Sequence, residues 1–159
     1  FFLENVIAAG LENAMQFLIV GDMEPAMQSW LNEKQQALKA SVMPFTDRFE
    51  LICRYLACDF IALPSHYDGM PNVLLEAGAL GLPVIAARTG GISEVLPAET
   101  QTLTFHPGDA EGCRQALQNA VSMSADNRQL AGKALQTRIN NDFTVARETS
   151  AYLQLINSI

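Results

Sequence analysis

Residues 60–87 read FIALPSHYDGMPNVLLEAGALGLPVIAA, and this stretch decides the fold. Its two ends, residues 60–63 and 83–87, are continuous apolar runs typical of strands that are buried on both faces. Between them, a loop leads into a helical pattern over residues 71–80, which Gly81 closes. A strand, a helix and a second strand in this order predict two parallel strands joined by a helix.

The same alternation extends along the whole chain. The pattern predicts further strands over residues 17–20, 42–45 and 103–105, and helices over residues 3–13, 25–39, 92–96, 126–140 and 144–157. Asp47 and Asp109 are predicted N-caps of two more helices, and Phe49, Ile52 and Leu56 are expected to form the inner face of the first. The predicted fold class is therefore α/β, a doubly wound, Rossmann-like parallel sheet with helices on both faces.

The composition indicates one globular domain and excludes several functions. Of the 159 residues, 49% are hydrophobic and 17% are charged, which is typical of a chain with a sizeable core. Ten Lys and Arg against 17 Asp and Glu give a net charge of −7, which argues against a nucleic-acid surface. No apolar run in the sequence reaches the length of a membrane helix, and three scattered cysteines favour a reducing cytoplasm.

Polar residues cluster where the predicted strands end, which is the edge at which parallel α/β sheets bind ligands. The N–H groups that begin the helix over residues 71–80 lack helical partners and suit a phosphate. Glu76 follows Asn72 by one turn, and its carboxylate is a good acceptor for two adjacent hydroxyls, such as a ribose diol. Asp68 lies in the preceding loop and suits further hydroxyls. The alternative for such acids is that they only cap the helix and offset its dipole.

Three motifs in fixed order carry a resemblance to a known family: PSHYDGMPNVLLEA at residues 64–77, GLPV at residues 81–84 and GGISEV at residues 90–95. They resemble the donor half of the family-4 retaining glycosyltransferases of GT-B fold. The resemblance implies that residues 1–159 form a single donor-nucleotide-binding domain, the C-terminal half of such an enzyme. The family's N-terminal acceptor domain is expected to be absent from this chain. The first strand of the donor domain, with its basic phosphate ligands, is expected to be absent as well.

The resemblance also implies roles for single residues. Glu76 matches the second acid of the family's E-x7-E motif, which holds the nucleotide ribose, and Asp68 stands where the first acid faces the transferred sugar. Both are expected to be catalytic, although the Asp68 side chain is one methylene shorter than the usual Glu. Arg88 is interpreted either as a phosphate ligand or as a solvated charge. The residues expected to contact the nucleotide sugar are Gly21, Ser65, Gly69, Asn72, Val73, Glu76, Arg88, Gly90 and Gly91, with the last two allowing close approach of the donor.

The implied function is retaining transfer of a hexose-type unit from a nucleoside diphosphate sugar to a sugar or lipid-linked acceptor. No cofactor and no metal ion are expected, and the chain alone is expected to be inactive because the missing domain binds most of the acceptor. The protein is expected in the cytoplasm or at the inner face of a membrane, and peripheral membrane association of the full-length protein stays open. Two alternatives also stay open, a sugar-nucleotide 2-epimerase of the same fold and a non-catalytic sugar-nucleotide-binding module.

Overall fold

The computed structural model describes residues 1–34 and 37–158, and strands and helices alternate along them as predicted. The strands are β1 (Phe17–Val20), β2 (Ala40–Met43), β3 (Ile61–Leu63), β4 (Val84–Ala87) and β5 (Thr104–Phe105). The helices are α1 (Phe2–Ala8), α2 (Pro25–Lys34), α3 (Arg48–Leu56), α4 (Asn72–Ala79), α5 (Ile92–Val95), α6 (Ala110–Ser122), α7 (Ala125–Asp142) and α8 (Val145–Asn157), with a 3-10 helix at Ala98–Leu103. Within the described ranges, no helix combines the length and the apolar character needed to cross a bilayer.

The strand pairs of the described residues are all parallel. β1 pairs with β2, and β3, β4 and β5 form a second sheet in that order. The parallel α/β arrangement is confirmed, and the sheet expected from the sequence is divided into two. β4 is paired on both sides and all 4 of its residues are buried, whereas β1 and β3, each paired on one side, are partly exposed.

β4 delivers side chains to a core on each of its faces. Ile85 and Ala87 belong to a first cluster, which also contains Phe2 of α1 and the buried residues of α6. Val84 and Ala86 belong to a second cluster, formed with α4 and α7. Helices therefore cover both faces of this sheet, and the doubly wound architecture is confirmed.

Helix α1 joins the two sheets through one aromatic side chain. The ring of Phe2 stacks on Phe105 of β5 with centroids 6.4 Å apart, and it meets Phe17 of β1 edge-on, also at 6.4 Å. Partly buried side chains of β1 and β2 belong to the same cluster as β4 and β5. The two sheets therefore share one core.

Some element boundaries differ from the predicted ones for local reasons. α1 ends at Ala8 rather than near residue 13, and Gly10 turns the chain with a φ of 67°. β2 stops before Pro44, which has no N–H to donate to a ladder. α2 ends at Lys34, and the predicted continuation crosses residues 35 and 36, which lie outside the described residues.

The predicted N-caps are confirmed, and they show why two helices begin where they do. The Asp47 carboxylate accepts a hydrogen bond from the N–H of Glu50 at 3.0 Å, at the start of α3. The Asp109 carboxylate accepts one from the N–H of Gly112 at 2.9 Å, at the start of α6. Each bond gives a partner to a backbone donor that the helix itself leaves unpaired.

The inner face of α3 is not the predicted one. Phe49 and Leu56 were expected to face the core but are 79% and 60% exposed, whereas Tyr55 is only 8% exposed. The prediction is wrong for Phe49 and Leu56, whereas Ile52 is half-buried. The helix is rotated so that Tyr55 and Arg54 form hydrogen bonds to neighbouring segments. This rotation brings Tyr55 to the candidate site.

Candidate functional site

Two loops meet at the sheet edge where β3 and β4 end. The first loop, residues 64–71, leads from β3 into α4, and the second loop, residues 88–91, leads from β4 into α5. The N–H of Gly91 donates a hydrogen bond to the carbonyl oxygen of Gly69 at 2.5 Å. The Thr89 hydroxyl donates to the carbonyl oxygen of His66 at 3.2 Å. These two bonds hold the first loop against the second.

Gly90 and Gly91 lie where any side chain would collide with the first loop. A Cβ atom at Gly90 would lie 1.9 Å from the carbonyl oxygen of Asp68, and one at Gly91 would lie 2.0 Å from that of Gly69. Gly90 also has a φ of 46°, which favours glycine. The contact between the two loops is therefore enough to require both glycines. Close approach of a donor to this pair stays a prediction.

The start of α4 presents backbone donors beside the two loops. The helix begins at Asn72 after Pro71, and no side chain caps it. Asn72 and Val73 are both exposed, and N–H groups in the first turn of a helix have no helical acceptor. Leu74 and Ala77 fix the opposite face of the helix in the core at 0% exposure. A rigid helix thus offers N–H groups that suit an anion.

Glu76 lies one turn into α4, where it is half-buried. Its Oε2 accepts a hydrogen bond from the hydroxyl of Tyr55 on α3 at 2.9 Å. Burial, followed by this hydrogen bond, raises the pKa of Tyr55 above its ordinary value, so the phenol stays a donor well above neutral pH. Because a carboxylate has about four lone-pair sites, Glu76 keeps acceptor capacity for a ligand.

The remaining predicted residues of the first loop surround the same strand end. Asp68 and Ser65 are half-buried, and Gly69 is exposed. The main chain of Asp68 lies against Gly90, while Glu76 belongs to the helix that the loop enters. The structure therefore places Asp68 in the loop that follows β3 and Glu76 in the helix that this loop enters, and their catalytic roles stay predictions.

Arg88 meets His106 where β4 and β5 end. The guanidinium Nη2 of Arg88 lies 3.2 Å from Nε2 of His106, and the backbone N–H of Arg88 donates to the carbonyl oxygen of Phe105 at 2.7 Å. Arg88 is exposed. A guanidinium carries five N–H donors, so the contact with His106 leaves others for a phosphate.

Gly21 ends β1 beneath an aromatic ring. It is buried with a φ of 122°, and a Cβ atom there would lie 2.9 Å from Cζ of Phe45. Phe45 follows β2 and is 73% exposed. Arg54 fastens this segment to α3, since its Nη1 donates to the carbonyl oxygen of Pro44 at 3.1 Å and its Nη2 to Oε1 of Glu50 at 2.5 Å. An exposed ring is thus held over the end of β1.

Comparison with known proteins assigns the chain to a family. Residues 1–123 match the profile of the family described as Glycosyl transferases group 1. The chain belongs to this family. The glycogen synthase of Mycobacterium tuberculosis (strain ATCC 25618 / H37Rv) is 30% identical over 134 residues, which are 80% of this chain and 32% of that protein.

Solved structures share the fold of this glycosyl transferases group 1 chain. Sucrose-phosphate synthase from Thermosynechococcus elongatus matches with a TM-score of 0.79 and 24% identity, over 99% of this chain and 43% of that one. HepE from Anabaena, in complex with UDP, matches with a TM-score of 0.73 and 21% identity, over 98% of this chain and 45% of that one. The expected GT-B-type fold is confirmed. The chain spans less than half the length of each of these three proteins.

Sequence reasoning missed two aromatic residues that contact predicted site residues of this glycosyl transferases group 1 chain, Tyr55 beside Glu76 and Phe45 beside Gly21. Tyr55 was overlooked because the apolar pattern of α3 was assigned to the wrong face. A buried tyrosine hydroxyl needs a partner, and that requirement was the signal available in the sequence. The sequence pattern predicts Phe45 as the end of a strand, and nothing local indicates its contact with Gly21. No cluster of three His, Cys, Asp or Glu suited to a metal ion occurs among residues 1–34 and 37–158.

Proposed function

We propose that this chain binds a nucleoside diphosphate sugar and serves as the donor half of a family-4 retaining glycosyltransferase. One observation carries the proposal: the half-buried Glu76 carboxylate lies one turn from the uncapped N–H groups of Asn72 and Val73. N–H groups at a helix start suit an anion, whereas a carboxylate suits a pair of hydroxyls. A nucleoside diphosphate has both features, in its diphosphate and in its ribose diol.

The proposed chemistry is cleavage of the bond between the sugar and the diphosphate. Negative charge develops on the leaving phosphate oxygen, and groups that are already oriented toward that charge stabilise it. The first turn of α4 and the guanidinium of Arg88 are the proposed stabilisers. Asp68 is proposed to face the transferred hexose-type unit, and Glu76 holds the ribose. The family-4 resemblance supports retention of the anomeric configuration, and the UDP complex of HepE supports UDP as the first ligand to test.

We also propose that polypeptide outside this chain completes the sheet and binds the acceptor, a sugar or a lipid-linked sugar. Phe17 donates its N–H to the carbonyl oxygen of the residue before β2 at 2.8 Å, and Gly21 donates its N–H to the last residue of β2 at 2.9 Å. Leu18 and Val20, which alternate with these donors, therefore direct their N–H groups to the other edge of β1. On β3, Ile61 donates its N–H to the carbonyl oxygen of the residue before β4 at 3.0 Å, so the next residue, Ala62, directs its N–H to the other edge of β3. Such edges can accept a further strand. Multiple-turnover transfer by the isolated chain would contradict this division of labour.

The test of nucleotide binding is Glu76→Gln, followed by NMR titration with UDP, GDP and ADP. Losing charged hydrogen bonds to the ribose should weaken the tightest of these ligands by about 1–3 kcal/mol. Glu148→Gln is the matched control, because Glu148 is an exposed acid in the first turn of α8 and its loss changes the net charge equally. We expect parent-like affinity for the control. Equal nucleotide affinity in Glu76→Gln and the parent would mean that Glu76 does not bind the ribose and only offsets the dipole of α4.

A further inference from the structure

Tyr55 is a buried group at the candidate site to which the proposed function gives no role. It lies near the C-terminal end of α3, is 8% exposed, and donates its hydroxyl to Oε2 of Glu76 at 2.9 Å. The two residues lie 21 positions apart in sequence, so the bond connects α3 with α4. It is therefore a tertiary contact made directly to the carboxylate that the proposed function assigns to the ribose.

The chemistry of this contact restricts what Glu76 can do. A phenol that stays protonated can only donate to a carboxylate, so it fixes one oxygen of Glu76 and thereby the rotation of its terminal group. The raised pKa of Tyr55, caused first by burial and then by Glu76, keeps the proton on the phenol. Without this bond, the side chain of a half-buried glutamate has several rotamers available, and a ligand must select one of them.

We propose that Tyr55 is a positioning residue, which pre-orients the Glu76 carboxylate toward the ribose hydroxyls of the bound nucleotide. This inference rests on the proposed function, because it gives Glu76 the ribose as its ligand. The alternative is that the hydroxyl only ties α3 to α4. The two roles differ in one measurable property, since only a positioning role changes how strongly the site prefers a ribose to a 2′-deoxyribose.

The experiment compares a nucleotide with its 2′-deoxy analogue. Whichever of UDP, GDP and ADP binds most tightly is titrated beside its 2′-deoxy form into the parent chain, Tyr55→Phe and Glu76→Gln, with NMR reporting on the folded species. Tyr55→Phe keeps the buried ring and removes one oxygen. Tyr152→Phe removes the same atom from an exposed tyrosine on α8 and is the matched control.

The parent should prefer the ribonucleotide by about tenfold or more, as expected for a hydroxyl bonded to a carboxylate. Glu76→Gln should lose most of that preference, and Tyr55→Phe should reduce it by about threefold or more. Tyr152→Phe should keep it. The preference is a ratio measured on one folded species, so a lower unfolding temperature of Tyr55→Phe does not affect the comparison.

Three results would overturn the inference, and they differ from failure of the proposed function. Tyr55→Phe could keep the parent's preference for the ribonucleotide while Glu76→Gln loses it. That result would mean that the Tyr55 hydroxyl only connects α3 with α4. Failure of Tyr55→Phe to fold would make its role structural, because a positioning group is dispensable for the core. An equal loss in Tyr152→Phe would show that the effect is not specific to Tyr55. If Glu76→Gln retains the full preference, or the parent binds no nucleotide, the proposed function itself fails.

Discussion

Replacing Gly91 with alanine should separate the two loops of the candidate site. The new Cβ would lie 2.0 Å from the carbonyl oxygen of Gly69, whereas carbon and carbonyl oxygen normally stay about 3.3 Å apart. The first loop must therefore retreat by about 1.3 Å, the difference between these distances. That movement breaks the hydrogen bond of 2.5 Å from the N–H of Gly91 to the same oxygen.

The expected destabilisation of Gly91→Ala follows from three contributions to the free energy of unfolding. Loss of the hydrogen bond costs about 1 kcal/mol, and the forced displacement costs about 1–3 kcal/mol. The Gly91 backbone has a φ of −66° and a ψ of −15°, which alanine adopts easily. Replacing glycine here therefore stabilises the chain by about 0.4–1 kcal/mol, because alanine lowers the entropy of the unfolded state. We expect Gly91→Ala to be destabilised by about 1–3.5 kcal/mol, and each kcal/mol lowers the Tm by about 2–4 °C in a chain of this size.

Gly69→Ala is the matched control, because it alters the other partner of the same hydrogen bond. A Cβ atom at Gly69 meets no atom within 4 Å, and Gly69 has no positive φ. Its stability should stay within about 0.5 kcal/mol of the parent. Thermal unfolding by circular dichroism measures all three chains. If Gly91→Ala unfolds at the same temperature as Gly69→Ala and the parent, the inferred packing of the two loops is refuted.

Three further outcomes are expected. In a full-length protein that contains this chain, Asp68→Asn should lower kcat/KM for transfer by at least about tenfold, which corresponds to about 1.4 kcal/mol, while nucleotide affinity stays unchanged. Lost nucleotide affinity with normal transfer would mean that the roles of Asp68 and Glu76 are reversed. Arg88→Gln should weaken UDP binding by about threefold to tenfold and leave uridine binding unchanged, and equal losses for both ligands would contradict a phosphate contact. Burial raises the pKa of the Cys113 thiol from 9.0 to about 11, so the thiolate fraction of Cys113 at pH 8 falls about a hundredfold. Labelling of the Cys113 thiol at pH 8 should therefore be slow until urea unfolds the chain.

Much of the fold was predictable because it depends on local patterns. Continuous apolar runs identified β3 and β4, and the side chains of Asp47 and Asp109 identified two helix starts. The motif at residues 64–77 located the first loop and α4, which the structure places at the end of β3. These features need no knowledge of distant residues.

The remainder depended on long-range contacts that local patterns do not contain. α3 has apolar residues on more than one side, so periodicity alone did not show that Tyr55 would face inward and Phe49 outward. The bond from Tyr55 to Glu76 spans 21 positions and forms only when both helices are packed. For Gly90 and Gly91, the resemblance implied close approach of a donor, and local patterns did not show that the main chain of the first loop also packs against both glycines.

The candidate site therefore combines a rigid element, helix α4, with the first loop, which is held by few hydrogen bonds. Leu74 and Ala77 fix α4 in the core, and Gly78 lets it approach α7 so closely that an added Cβ would lie 2.6 Å from Cγ1 of Ile139. Glu76 projects from this helix and is oriented by Tyr55. The first loop, in contrast, is tied to the second by single hydrogen bonds from Gly91 and Thr89. Because tight packing resists displacement far more than isolated hydrogen bonds do, the loop that contains Asp68 should move more readily than α4 and Glu76.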